Sequence, residues 1–369
     1  MCDGVLGERP GYLGRGYLGR GYLGKTVIGV DQMSSKGAGL GAEASGALRV
    51  GVIGAGVMGS NHARVLAGLP DISLVGVVDP LPGHRTRVME LANCRTFAGL
   101  GELIAEGVDA VTVAAPTHLH HEIALACIAR DIHVLVEKPI ASTVAEGEEI
   151  VAAARRVGVT LMVGHVERFN PAVAAIKQAI AGEDILSIAI TRVGPFPPRM
   201  SNVGVVIDLA VHDIDLIRWF TESDIVEVQP QLSSAVAERE DIALLQFRTA
   251  SGVLAHINTN WLTPFKARNV TVATRGKYVM GDLLTRQVTE CFGFKPDGSY
   301  SMRHLPVGHD EPLRAELVSF LHAVRSGTVP AVTGDEGVAS LEIATRCLEV
   351  PARPAAAAPA RKGPRRVVG

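Results

Sequence analysis

Three groups of residues in this chain have the types and spacing to do chemistry. Gly54, Gly56 and Gly59 form a GxGxxG within RVGVIGAGVMGSNHARVL, after a β-branched run and before a helix-like stretch. The first glycine permits a tight strand-to-helix turn, the second lets backbone approach a pyrophosphate, and the third lets helix and strand pack closely. The helix beyond, beginning at Val57 and Met58, can aim free N–H groups and its positive end at phosphate oxygens. A second run, SLVGVVD, ends in Asp79, twenty residues after Gly59, where a carboxylate can bind adenosine ribose hydroxyls. The glycines alone would also suit a tight turn with no ligand; the strand before them and Asp79 after them favour a dinucleotide. A carboxylate repels a 2′-phosphate, so NAD is expected over NADP. Arg85 and Arg87 are the residues that would admit NADP.

The second group is Lys138, in VLVEKPIA just after the run 132–137. The carboxyl ends of parallel strands are where α/β sheets place ligands. An ammonium there can bond the oxygen of an alcohol being oxidised and assist its proton transfer. The third group is Asp208 and His212 in DLAVHDIDLIRW, four apart and so on one face of a helix. Histidine titrates near neutral pH and a nearby carboxylate can orient it, which suits His212 as general base and Asp208 as orienter. By themselves the pair reads more readily as a helix cap and a core histidine. In HLHH, His118 and His121 are three apart, but no carboxylate or cysteine completes a ligand set, so no metal is expected.

The elements that must position these groups follow from patterning. Short β-branched runs at 48–53, 73–78, 109–114, 132–136 and 159–163 alternate with helix-like stretches at 57–68, 82–93, 98–106, 119–130 and 143–156. Such alternation implies βαβ units and a parallel sheet. From about residue 184 consecutive strand patterns with short turns predict a largely antiparallel sheet. Helical patterns lie at about 206–221, 311–326 and 335–349. The fold class expected is α/β: an N-terminal Rossmann domain over 48–165, then an α+β domain with a large, mostly antiparallel open sheet over 166–350. Residues 1–47, with GYLGR repeated at 11–15 and 16–20, read as a flexible glycine-rich leader, with Met33 an alternative start. Residues 351–369 read as a flexible Ala/Pro/Arg tail.

The composition narrows the partners. Of 369 residues, 47% are hydrophobic, enough to build cores and exclude a mainly disordered chain. The net charge of −2 argues against a nucleic-acid surface. No uncharged apolar run is long enough to span a bilayer. The five cysteines are scattered without a CxxC, as in a reducing cytoplasm.

AAPTHLHHEIALA, VLVEKPIA, GHVERFNPAV and DLAVHDIDLIRW follow the GxGxxG in a fixed order over about residues 48–350. With it they resemble the Gfo/Idh/MocA family of sugar and cyclitol oxidoreductases. The resemblance implies that Lys138 is the active-site lysine and that Glu137 meets the nicotinamide ribose. It makes Asp208 and His212 a functional pair, and Pro116, Thr117 and His120 cofactor contacts. It also implies a homodimer or homotetramer formed through the open sheet. TRVGPFPPR, VGVVIDLAVHDID and NWLTPFKAR are similar to members acting on C3 of UDP-N-acetylglucosamine, giving a 3-keto nucleotide sugar. Arg168, Asn170 and Arg199 are then candidates for the substrate side, with Lys266 and Arg268 weaker ones, because arginines bind pyrophosphates through paired donors. The alternatives are the same oxidation of another sugar, a sugar phosphate or an inositol. A non-catalytic dinucleotide-binding regulator is the reading from a different class.

Overall fold

The computed structural model describes residues 46–197 and 203–349; the leader up to residue 45, the tail from residue 350, and Arg199 lie outside the described residues. The first sheet contains β1 (Leu48–Ile53), β2 (Ile72–Val78), β3 (Thr96–Phe97), β4 (Ala110–Val113), β5 (His133–Glu137) and β6 (Leu161–Gly164). All neighbours are parallel, in the order β3-β2-β1-β4-β5-β6. The inner strands are nearly unbroken Val, Ile and Leu, because helices cover both faces. The strand order reverses between β1 and β4, which opens a crevice at the carboxyl ends of those strands. The helices are α1 (Val57–Ala67), α2 (Pro82–Ala92), α3 (Leu100–Ala105), α4 (His120–Ile128) and α5 (Val144–Val157). Thr143 and Glu146 start α5 with reciprocal side chain-to-backbone hydrogen bonds, and Gly158 ends it in the left-handed conformation.

The second sheet has eight strands: β7 (Ile185–Pro195), β8 (Ile225–Ser233), β9 (Ile242–Thr249), β10 (Leu254–Asn260), β11 (Leu262–Thr274), β12 (Lys277–Asp282), β13 (Gln287–Phe292) and β14 (Ser301–Leu305). Their order is β14-β13-β12-β11-β7-β10-β9-β8, antiparallel throughout except for β7 beside β10. One face is covered by α6 (Pro171–Ala179), α7 (Val211–Thr221) and α9 (Gly334–Glu349). The other face is open, so strands such as β9 alternate buried and exposed residues. The α/β class and both sheet types expected from patterning are present. The structure adds β3, α6, β13 and β14, which the patterning does not mark. Asn170 caps α6 and Pro171 occupies its first turn, a start signal on too short an apolar pattern.

The chain does not run through its two cores in simple linear order. Helix α8 (Pro312–Ser326) returns to the first core, where it buries Leu313, Leu317, Phe320 and Leu321. Arg64 of α1 pairs with Glu311 at its start. A single second unit over 166–350 therefore does not describe the packing of α8. Among the described residues no helix is long and apolar enough to cross a membrane.

Candidate functional site

The three glycines at the end of β1 do three different physical jobs. Gly54 has φ +97°, and a Cβ there would stand 2.6 Å from the Ala114 carbonyl oxygen. A Cβ on Gly59 would lie 1.8 Å from the Gly54 carbonyl oxygen. Gly56 is the opposite case, because its Cβ would meet nothing within 4 Å. It stands at the head of α1, which no side chain caps, with Val57 and Met58 exposed beside it. Uncapped N–H groups facing open space fit a phosphate, so the turn suits a dinucleotide.

Asp79 braces the same turn. Its Oδ2 accepts from the Ala55 N–H at 2.8 Å, its Oδ1 from the Leu81 N–H at 2.9 Å, and His84 Nδ1 is 3.2 Å from Oδ2. Burial raises this carboxyl, but the two backbone donors and His84 outweigh it and hold Asp79 below its ordinary value. An ionised carboxylate thus ends β2, where an adenosine ribose would lie and a 2′-phosphate would be repelled. Arg85 donates to the carbonyls of Asp79 and Pro80.

On the other side of the crevice, Pro116 and Thr117 follow β4 in a short 3-10 turn (Thr117–Leu119). They keep exposed or half-buried surface there. His120 does not. It is buried, with Nδ1 2.9 Å from the Pro139 carbonyl oxygen and Nε2 2.8 Å from that of Ala115. The expectation of a cofactor contact is corrected: His120 cross-links the loop after β4 to the loop after β5. Glu137 closes β5, buried and 3.0 Å from His62 Nε2 of α1. His121 lies on the surface beside Glu149.

Lys138 and Asp208 meet although 70 residues separate them. Lys138 Nζ donates to the Asp208 carbonyl oxygen at 2.7 Å and lies 3.3 Å from its Oδ1. Asp208 belongs to a π-helical turn (Val206–Ala210) that runs straight into α7, bearing His212. Such turns widen a helix and recur at functional sites. Glu240 anchors this one through its carbonyl, which accepts from Val205, and its carboxylate, which accepts from Val206. Gly204 leaves the room, since a Cβ there would lie 1.9 Å from the Glu240 Oε1. Burial, then the charges of Lys138 and Arg192, push His212 well below its ordinary value. At neutral pH it is a neutral imidazole able to take a proton.

Beneath the pair lies a frame of buried charges. Arg192 of β7 bonds Asp213 at 2.7 Å and Glu167 at 2.8 Å, and Arg268 of β11 bonds Glu167 at 2.8 Å. Arg168 bonds Asp215 at 2.6 Å and Glu336 at 2.8 Å. Two expectations are corrected here. The Arg168 guanidinium is consumed by these internal carboxylates, and Asn170 by its capping bond to Ala172 and a bond to the Leu283 carbonyl. Both are buried and serve as internal struts. Asp215 likewise serves Arg168. Arg268 and Glu336 are the partly exposed members of the frame. Trp261 is buried against Phe196 in a T-shaped contact. Sequence reasoning missed His62, His165, Glu167 and Arg192. Their signal is charge or imidazole inside otherwise apolar elements, as Arg192 is in ILSIAITRV.

Removing Arg192 tests this frame. Arg192→Ala leaves Asp213 buried without its cation and Glu167 with Arg268 alone, and is expected to cost about 3–5 kcal/mol of unfolding free energy. Urea denaturation checks it; a loss inside about 1 kcal/mol would mean the network relaxes freely to solvent.

Residues 48–165 match the family model described as the oxidoreductase family with an NAD-binding Rossmann fold, and residues 185–279 match the GFO/IDH/MocA C-terminal domain. UDP-N-acetylglucosamine 3-dehydrogenase of Acidithiobacillus ferrooxidans is 28% identical over 285 residues, 75% of this chain and 88% of that one. A solved structure of that enzyme, GnnA, superposes with a TM-score of 0.76 at 27% identity, over 81% of this chain and 96% of that one. Inositol 2-dehydrogenase of Rubrobacter xylanophilus is 31% identical over 321 residues, 82% of this chain and 90% of that one. GenD2 from gentamicin A biosynthesis, solved in complex with NAD, superposes with a TM-score of 0.72 at 25% identity, over 84% of this chain and 96% of that one.

Proposed function

Because this chain belongs to the Gfo/Idh/MocA family of NAD-binding oxidoreductases, we propose that it oxidises the 3-hydroxyl of UDP-N-acetylglucosamine to a 3-keto nucleotide sugar. The observation that carries the reaction is the meeting of Lys138 and Asp208 at the carboxyl end of β5, with a neutral His212 on the same helical run. The substrate rests on likeness to the Acidithiobacillus enzyme and on the GPFPPR and NWLTP segments. Likeness to inositol 2-dehydrogenase supports the second reading, the same oxidation of a cyclitol.

The residues divide the work as follows. Gly54, Gly56, Gly59 and the first turn of α1 hold a pyrophosphate, Asp79 a ribose, and Pro116, Thr117 and Glu137 the nicotinamide end. NAD, when bound, supplies the hydride acceptor. Lys138 bonds the reacting hydroxyl and stabilises the oxygen as negative charge develops on it. His212 takes the hydroxyl proton, and Asp208 holds Lys138 and the substrate in register. With Arg168 and Asn170 engaged internally, Arg268 and the exposed Lys266 are the candidates for a substrate phosphate among the described residues, and Arg199 remains a candidate outside them. The open face of the second sheet, with exposed Leu244, Leu254 and Met280, serves as the subunit interface of a homodimer or homotetramer.

The test is the rise of reduced-nicotinamide absorbance on mixing the protein, NAD and UDP-N-acetylglucosamine, with a glutamate-dependent transaminase added to consume the ketone. A rise with inositol and none with the nucleotide sugar would move the substrate to the cyclitol reading. NAD binding with no oxidation of any polyol would favour a regulator. The pH profile carries its own expectation. The competent form of His212 is the neutral one, and its lowered value keeps it neutral into acid. In the oxidative direction kcat/KM should hold its plateau down through about pH 6.5, the ordinary histidine value, and fall only below it. An acid limb centred above that value would contradict His212 as the base.

A further inference from the structure

Glu137 has a second set of neighbours that the mechanism does not use. His62 comes from α1, Glu137 from the end of β5 and Glu316 from α8, and one nitrogen or oxygen of each lies within 4.8 Å of the others. His62 and Glu316 have no exposed surface, and Glu137 has almost none. Glu316 stands on the apolar face of α8, one turn from Leu313 and one from Phe320, both core residues. An aliphatic side chain would suit that position by packing alone. Neither Glu316 oxygen has a hydrogen-bond partner among the described residues, and neither has His62 Nδ1.

The charges around the cluster do not neutralise two carboxylates. Lys138, next to Glu137, is engaged by Asp208. His120 from α4 and His165 after β6 face Glu137, and burial holds both below their ordinary values. No described lysine or arginine lies within ion-pair distance of Glu316. Two ionised carboxylates in so dry a space would repel each other and lack solvation. One proton between them removes both penalties and turns one carboxyl into a donor.

We infer that Glu316 is a positioning residue: it keeps its proton at neutral pH and presents that hydrogen to the cluster that fixes the Glu137 carboxylate. Its position decides which carboxyl keeps the proton. Glu137 accepts from His62 and neighbours Lys138, so it is the better anion, whereas Glu316 has no such partner. Burial and the charge of Glu137 push Glu316 well above the ordinary carboxyl value. Burial also raises Glu137, but His62 and Lys138 more than offset it and hold it below. In this way α8 returns from the far end of the chain to place a neutral carboxyl beside Glu137, whose Oε1 faces His62 and whose Oε2 accepts from the Lys138 N–H. The consequence for cofactor affinity rests on Glu137 meeting the nicotinamide ribose; the protonation does not.

The experiment uses the full chain and no substrate, so it stands apart from the choice of sugar. Infrared difference spectra of wild type against Glu316→Gln at pH 7 should show the carbonyl stretch of a protonated carboxylic acid, present in wild type and lost in the variant. Absence of that band overturns the inference. Titration with NAD then separates positioning from packing. Glu316→Gln, which keeps a neutral donor, should bind NAD within about 3-fold of wild type, whereas Glu316→Leu should weaken it about 10-fold or more. In turnover, the Leu variant should raise the KM for NAD far more than it lowers kcat. Equal NAD affinities for Gln and Leu would overturn the positioning role. A stoichiometric divalent metal in the purified protein, absent from Glu316→Gln, would replace the proton by a metal ion and overturn it as well.

Discussion

Lys138→Met is expected to slow alcohol oxidation by about 10²–10⁴-fold while NAD still binds. Methionine keeps the length of the side chain and removes its charge and donors. The lysine performs two acts that methionine cannot: it donates to the reacting oxygen, and it stabilises negative charge that grows only on the way to the ketone. Loss of an interaction made mainly in the transition state lowers kcat and kcat/KM together. The fold should tolerate the change. The Lys138–Asp208 pair is partly exposed, with side chains 17% and 23% accessible, so Asp208 can turn to water. Steady-state oxidation with a parallel NAD titration is the measurement. Oxidation within a few-fold of wild type would remove Lys138 from the chemistry. Loss of NAD binding along with activity would make it a cofactor-site residue instead.

The glycine turn supports a prediction of similar size, because one added methyl group should act in opposite ways at two positions only three residues apart. Gly56→Ala puts its Cβ into open space, so thermal stability without cofactor should stay close to wild type. The methyl then occupies the approach of the pyrophosphate, and NAD affinity should fall by about 10²-fold, comparable to losing two or three kcal/mol of contact. Gly59→Ala drives its Cβ to within 1.8 Å of the Gly54 carbonyl oxygen, which belongs to backbone and has nowhere to go. The helix must move off the strand, and the expected cost is about 3–5 kcal/mol of stability, at the upper end for a single substitution. Thermal melts of both variants with and without NAD separate the cases. Two variants that lose stability equally, or a Gly56→Ala that binds NAD normally, would contradict the division of labour.

Legibility in the sequence followed how local each feature is. The GxGxxG, with Asp79 beyond it, could be read because a tight turn, a helix start and a strand end are set by neighbours in the chain. The parallel and antiparallel sheets could be read because burial on two faces or on one leaves different periodicities. Lys138 could be placed at a strand end, and Asp208 and His212 on one helical run, for the same reason. What these positions face could not be read. Arg168 follows a strand end as a substrate residue would, yet Asp215, 47 residues on, takes its guanidinium. The family resemblance made His120 a cofactor contact, yet two carbonyls from separate loops enclose it.

Local patterning by itself determined a dinucleotide turn and two sheets of opposite character, and the resemblance of its motifs to a known family marked the residues for hydride transfer. Tertiary structure alone decided which of those residues meet. It brought Lys138 to Asp208, placed the π-turn that carries Asp208 into α7, buried Arg192 between two carboxylates, and folded α8 back to stand Glu316 beside Glu137. The physical reason is that a side chain's type and rotational face follow from its own stretch of chain. Its burial and its partners are set by elements that may stand anywhere else in the chain, and burial and partners decide its charge.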